Sequence, residues 1–360
     1  GGNKIAQGNQ DDNECGNFFY DVPAGFLALC SKNLPDCAVI PSEHYNTIIY
    51  DDGAGAKTGV GFQPDLVWLK SRGSTKSHKL TDAVRGVTQA LVANEPDIEY
   101  TDATGLTAFG SDGFTVGAHA SYSDTTGDGM VAWNWKANGS GSSNYNGSIN
   151  TTSTSANVTA GFSISTYTGT GSNATVGHGL SVAPNLVIVK RRNVSNTWLV
   201  GTVQSLVDVD FDDNFVLNTT AAKASSASRW NGTAPTASVF SIGTNTEVNA
   251  SGSTYVAYCW HDVDGYSKIG SYNGNGNVNG QFEYTGFSPA YVIIKHVTTA
   301  PTHWSIYDSA RGLLNPVTFP LSANEVDAEG GSAGTYYIDL LSNGFKLRNT
   351  NTLTNTNGNW

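Results

Sequence analysis

Three stretches decide how this chain is read: Phe62-Gln-Pro64-Asp-Leu-Val-Trp-Leu-Lys70, Val182-Ala-Pro184-Asn-Leu-Val-Ile-Val-Lys190 and Phe287-Ser-Pro289-Ala-Tyr-Val-Ile-Ile-Lys295. Each places a proline before an apolar run and closes the run with lysine. Proline cannot donate to a strand ladder but is tolerated at a strand's entry, and a short apolar run bounded in this way reads as a buried strand. The prolines lie 120 and then 105 residues apart. A period of that length is one domain blueprint used three times in succession.

The surrounding residues repeat in the same order. Ahead of each proline stand Tyr50-Asp-Asp-Gly53-Ala-Gly55, Tyr167-Thr-Gly169-Thr-Gly171 and Tyr272-Asn-Gly274-Asn-Gly276, with glycine supplying the positive φ of tight hairpin turns. Downstream come Leu91-Val-Ala-Asn94, Val216-Leu-Asn218 and Leu321-Ser-Ala-Asn324, and then turns leading to Phe114, Phe240 and Phe345. The first two copies close on Met130-Val-Ala-Trp133-Asn-Trp135 and Tyr255-Val-Ala-Tyr258-Cys-Trp260, alternating large residues with the period of a strand. The third reaches Gly358-Asn-Trp360 where that strand should begin, so either the chain is cut there or an outside strand completes the domain. An unpartnered edge of this kind is normally paired or covered.

These signals predict an all-β chain of tandem antiparallel, jelly-roll-like β-sandwich domains, three related repeats. Repeat 1 is expected over 45–137, repeat 2 over 161–263 and repeat 3 over 264–360. Residues 138–160, rich in Gly, Ser, Asn and Thr, read as a linker. Three separate apolar cores follow from this layout, with repeats 2 and 3 meeting directly as the stiffer pair. Helical turns are expected only near Leu80 to Leu91 and Ser309 to Leu314.

Composition narrows the function classes. Only 14% of residues are charged, while 8 Trp, 16 Tyr and 14 Phe provide enough large apolar side chains to offset ordering entropy. The net charge of -11, with only 19 scattered Lys and Arg, disfavours nucleic acid and anionic membranes. No apolar run is long enough for membrane insertion, and Gly1 to Gln10 has no signal-peptide pattern. Because residue 1 is glycine rather than methionine, a processed product or fragment is expected. Cys15, Cys30, Cys37 and Cys259 have no zinc spacing; a Cys30–Cys37 bridge and free thiols are both open. Sequons such as Asn157, Asn173, Asn193 and Asn231 are expected by chance in so Asn-rich a chain.

The Pro-to-Lys element, the segments Asp82-Ala-Val-Arg85-Gly86 and Asp308-Ser-Ala-Arg311-Gly312, the Gly-Phe turns and the Val-Ala-Trp/Tyr strands resemble a repeated domain of uncharacterised function in tail-fibre and other structural proteins of marine bacteriophages, cyanophages among them. The likeness covers roughly residues 45 to 360. Phe18 to Cys30 is similar to the closing strand of a SPRY or concanavalin-like sandwich, making 1–44 the C-terminal remnant of such a domain. The second copy departs from the pattern: it has Val207-Asp-Val-Asp-Phe-Asp-Asp213 in place of an Asp-x-x-Arg-Gly segment.

Catalytic signatures are absent: there is no nucleophile elbow, Cys-His dyad or phosphate loop. His78, Asp82 and Arg85 form an acid-base site only on paper. Asp82 with Arg85, and Asp308 with Arg311, read as local ion pairs pinning turns. Asp208, Asp210, Asp212 and Asp213 offer hard oxygen ligands for calcium, but they lack the Gly at the sixth and the Glu at the twelfth place of the calcium loop. The plain reading is a solvated loop and no cofactor. Trp68, Trp133, Trp135, Trp198, Trp260 and Trp304 are sugar-stacking candidates, although positions within the repeated strands favour core for at least four of them. Loops on the rigid scaffold are left to carry any binding.

The expected function is a non-enzymatic structural and adhesive part of a bacteriophage tail fibre or virion appendage, extracellular on the particle and contacting host surface polysaccharide. The resemblance implies assembly as a homo-oligomer, a trimer, or with other virion proteins. The alternatives are a subunit of an extracellular filament, a capsid decoration protein, and a polysaccharide-degrading tailspike-type enzyme, which would need two facing carboxylates.

Overall fold

A computed structural model of the chain describes residues 5–33, 39–123, 127, 129–203, 209–330 and 336–360. The chain divides into Gly1–Ala38 and Val39–Trp360. In the first unit the Asp11 carboxylate accepts from the N–H groups of Asn13, Cys15 and Ala28 and from Asn33 Nδ2. The strand expected over Phe18–Cys30 is not formed. Among the described residues of this unit only an isolated bridge between Asn9 and Phe18 is made, and an extended segment without a paired neighbour cannot satisfy its backbone groups by pairing. Cys15 and Cys30 are free thiols, as is Cys259; Cys37 lies outside the described residues.

The second unit is all-β and its sheets are antiparallel. Each repeat is a two-layer sandwich. In repeat 1 the inner sheet runs Tyr45–Tyr50, Met130–Trp135, Leu66–Ser71, Lys79–Asp82, Gln89–Val92 and Tyr100–Thr101; the outer sheet is Gly55–Thr58, Gly113–Val116 and Leu106–Gly110. In repeat 2 the inner sheet runs Ser153–Asn157, Phe162–Thr168, Thr254–Trp260, Leu186–Arg191, Trp198–Thr202, Asp213–Val216 and Ala224–Ser225, backed by Ala174–Gly177 with Val239–Ile242. Repeat 3 has a shorter inner sheet of Tyr291–Ile294, Ser305–Asp308 and Leu321–Ser322, an outer sheet of Phe282–Tyr284, Gly344–Leu347 and Ile338–Leu341, and a pair Asn273–Gly274 with Gly358–Asn359.

Two expectations of layout are corrected. The stretch 138–160 is not a plain linker, since Ser153–Asn157 pairs with Phe162–Thr168 throughout its length. The Thr154 hydroxyl bonds that of Ser165 within the sheet at 2.9 Å, and Ser165 donates onward to Gly177 O of the backing pair at 3.0 Å, so polar side chains are buried without loss. The region near Leu80 to Leu91 makes strand and turn, and short helices appear instead at Ala227–Trp230 and Thr246–Asn249.

The larger correction concerns the core. Three local cores do lie between the layers, built around Phe114, Phe240 and Phe345. A fourth joins all three repeats: Trp68, Leu80, Val131 and Trp133 from the first, Ile164, Trp198, Val256 and Tyr258 from the second, and Trp304, Ile306 and Leu321 from the third. The inner sheets therefore face one another around a common centre. This explains why the Pro-to-Lys runs are apolar at every position: Leu66 and Trp68 point to the shared core, while Val67 and Leu69 point to the local one. A strand covered on both faces loses its alternation.

Candidate functional site at the junctions of the repeats

The residues with the most unusual environments lie where the repeats meet, and they recur with three-fold regularity. Trp198 Nε1 of repeat 2 donates to Val92 O of repeat 1 (2.8 Å), and Trp304 Nε1 of repeat 3 to Val216 O of repeat 2 (3.1 Å). At the same place in repeat 1, His78 Nε2 meets Ser322 O of repeat 3 at 3.0 Å. The first repeat thus joins the third, and the three form a closed ring rather than a linear array. Each of these residues has its own N–H held by an asparagine side chain: Asn94, Asn218 and Asn324 for His78, Trp198 and Trp304 respectively. These are the asparagines that repeat in the sequence.

His78 Nδ1 accepts from Trp68 Nε1 at 2.8 Å. The ring is therefore neutral with its proton on Nε2, donated to Ser322 O. Burial, with Lys70 nearby, drives its pKa well below the ordinary histidine value. Fully buried and bonded at both nitrogens, it is not assembled with Asp82 and Arg85 into an acid-base site.

The backbone repeats the same ring. Glu99 N donates to Arg192 O (2.8 Å), Lys223 N to Val297 O (2.8 Å) and Glu329 N to Arg72 O. At two of the three junctions an ion pair lies beside that bond, Arg192 with Glu99 and Arg72 with Glu329. Two of the three recurrent lysines reach across as well: Lys190 Nζ donates to Pro96 O (2.9 Å) and Lys295 Nζ to Thr220 O (3.2 Å), each on the preceding repeat. Lys70 Nζ bonds Ser71 O and Ser74 O in its own repeat. Burial lowers all three ammonium groups to a pKa of about 8.

Asp82 and Asp308 sit at the ends of equivalent strands and accept from Arg85 and Arg311 as local ion pairs, through backbone N–H and Nε alike. Each also receives a donor from the next repeat, Tyr258 OH on Asp82 at 2.7 Å and Trp133 Nε1 on Asp308 at 3.0 Å. Burial opposes the charge of Arg85, and the Asp82 carboxylate overrides it and raises its pKa. Arg85 further donates to Leu80 O and Glu99, and Arg311 to Ile306 O and Phe319 O. Each guanidinium nitrogen thus makes at least one hydrogen bond, and a buried ion pair needs such bonds if its desolvation is to be offset.

The remaining sequence candidates disperse. Pro64, Pro184 and Pro289 are buried at strand entries. Of the four aspartates, Asp208 lies outside the described residues, Asp213 is bound to Lys223 and Ser225, and Asp210 accepts from the N–H of Asp212. No group of three or more metal-binding side chains occurs among the described residues. Five of the six tryptophans are buried and Trp260 is half-buried, so they cannot offer open stacking faces. The most exposed aromatic residues described in the second unit are others: Tyr145 in the 138–152 loop and Tyr284 on the outer sheet of repeat 3. Only the loop composition around Tyr145 signalled this in the sequence.

Burial raises the pKa of two carboxyl groups, Asp65 and Glu283. Glu283, on the strand Phe282–Tyr284, is raised to about 7, and its Oε1 finds no hydrogen-bond partner among the described residues. Since the folded state holds this proton more tightly than the unfolded chain, stability should fall as pH rises from 4.5 toward 7 and flatten above it. Glu283→Gln is expected to remove that part of the slope, read as the denaturation midpoint against pH. An unchanged slope refutes the assignment.

The family described as "Domain of unknown function (DUF7483)" matches residues 40–360. Among the curated proteins and among the solved structures nothing matches.

Proposed function

The chain belongs to the DUF7483 family across residues 40–360, a family described only as a domain of unknown function, and we propose for it a non-enzymatic structural and adhesive role: a component of a bacteriophage tail fibre or similar virion appendage that contacts host polysaccharide. The observation that carries the reading is where the perturbed groups lie. His78, Lys70, Lys190, Lys295 and the two Asp–Arg pairs are buried at repeat junctions. Perturbed titratable groups mark function when they line a cleft; here they are spent on holding three sandwiches in a ring. The three-fold arrangement expected of separate chains is built by one chain, which supports a place on the axis of a fibre. What remains outside is a polar surface with exposed aromatic residues on it, and adhesion through several weak contacts gains from repetition.

Two measurements test this. Antibody raised against the chain should label fibres or appendages of intact particles in electron micrographs; label confined to non-particle material overturns the location. The protein should be retained on immobilised host-envelope polysaccharide, and Tyr145→Ala with Tyr284→Ala should weaken retention several-fold while leaving the melting transition in place. Failure of the unaltered protein to bind overturns the adhesive half.

A further inference from the structure

Two junctions of the ring are closed by an indole and the third by an imidazole. Trp198 ties repeat 2 to repeat 1 and Trp304 ties repeat 3 to repeat 2, each donating its ring N–H to a carbonyl. An indole nitrogen is a donor at every ordinary pH. His78 ties repeat 1 to repeat 3, and its second ring nitrogen is committed as an acceptor. Trp68 Nε1 donates to Nδ1 at 2.8 Å, while Nε2 lies 3.0 Å from Ser322 O. Only the neutral ring satisfies both contacts. A proton added at Nδ1 would point at the Trp68 N–H, donor against donor, in a fully buried place.

The surroundings add to the cost of that proton. Lys70, on the Pro-to-Lys strand, and Arg311, from repeat 3, face the ring, and both repel a further positive charge. The nearby carboxylates are engaged elsewhere: Asp308 accepts from Arg311 and from Trp133 Nε1, Glu329 pairs with Arg72, and Asp327 acts on Lys70. On the strand that follows His78, Lys79 bonds Tyr100 and Asp82 bonds Arg85. The other neighbours are uncharged. Asn94 holds the His78 N–H, Trp133 lies parallel to the ring at 6.2 Å, and Tyr291 sits edge-on to Trp133 with burial raising its pKa.

We infer that the junction between repeats 1 and 3 is an acid-operated latch: protonation of His78 at Nδ1 opens the ring there and leaves the two indole junctions closed. The other histidines do not oppose a junction in this way. His303 lies beside Trp304 but meets Glu325 of its own repeat at 3.2 Å, so a proton gained there has a carboxylate to face. His44 bonds Asn157 at the rim of repeats 1 and 2, where its half-exposed ring stays solvated when charged. His119, His178, His261 and His296 bond within their own repeats. With the junction open, His78 titrates near the ordinary histidine value of about 6.5; burial and Lys70 hold it neutral to lower pH while the junction is shut. Closure is therefore at full strength above that value and weakens about tenfold for each pH unit below it. Opening also parts Trp133 from Asp308, the other buried bond across this junction.

The inference goes beyond the proposed role and stands without it. Three backbone amides report the junctions one by one: Glu329 N to Arg72 O for repeats 1 and 3, Glu99 N to Arg192 O for 1 and 2, and Lys223 N to Val297 O for 2 and 3. Residue-resolved hydrogen exchange of the full chain, corrected for the intrinsic pH dependence, should show the Glu329 amide opening roughly fifty- to a hundredfold more often at about pH 4.5 than at about pH 7. The Glu99 and Lys223 amides should keep their protection. His78→Gln offers Trp68 an acceptor and Ser322 O a donor without titrating, and in that variant the Glu329 amide should be equally protected at both pH values. Equal protection at both pH values in the unaltered chain, all three amides opening together, or an acid response that survives His78→Gln overturns the proposal. The first two outcomes are read without the variant.

Discussion

Replacing Asp308 by alanine is expected to cost about 3–5 kcal/mol of unfolding free energy, because it leaves a buried charge without its partner. Arg311 would keep its bonds to Ile306 O and Phe319 O but lose its bonded carboxylate, the nearest other being Glu329 at 3.9 Å. Trp133 Nε1, from repeat 1, would lose its acceptor in the same step. Asp82→Ala removes the equivalent pair, but there Glu99 lies 2.9 Å from Arg85 and retains part of the compensation. Asp308→Ala should thus be the more severe of the two. Removing both partners in Asp308→Leu with Arg311→Met should cost less than the single substitution, since no unpaired charge remains. Denaturant titration of the three variants checks the order, and a mild Asp308→Ala effect would show that the junction is not sealed from water.

Repeat 2 expressed alone as residues 138–263 should not form a stable, uniquely packed domain. Its inner face carries Ile164, Trp198, Val200, Phe215, Val256 and Tyr258, all buried in the core shared by the three repeats. At about 1.5–3 kcal/mol for each such side chain, exposing this face forfeits roughly 9–18 kcal/mol, which matches or exceeds the 5–15 kcal/mol by which folded domains are typically stable. Neighbours within the repeat cover part of each side chain, so half of that figure is the safer one, and it still leaves little. Trp198 would also lose the carbonyl of Val92 that its indole bonds. The expected result is a fragment that binds a hydrophobic dye and melts without cooperativity, while the whole chain melts sharply. A fragment with a sharp melt near that of the whole chain would restore the picture of three independent cores.

The contrast between those two pictures marks what the residues alone conveyed. Proline, an apolar run and lysine, repeated with glycine turns and alternating aromatic strands, are local signals, and they specified strands, their order and the number of copies. They could not say why Trp68 and Val67 are both apolar, since a run covered on two faces looks the same whether the second cover is a sheet of the same repeat or another repeat. The Asp82–Arg85 and Asp308–Arg311 pairs were legible from their spacing; the Tyr258 and Trp133 bonds that turn them into junction contacts were not, because their partners lie 176 and 175 residues away in the chain.

The sequence by itself determined three copies of an antiparallel sandwich and the strands that build it, because strand period and turn chemistry act over a few residues. Tertiary structure alone decided that the copies close into a ring around a common core, that the recurrent Trp/His positions and two of the three recurrent lysines join neighbours, and that the recurrent asparagines hold those Trp/His positions in place. Ring closure depends on which faces meet in space, and side chains far apart along the chain acquire a relation only when the sheets are brought together.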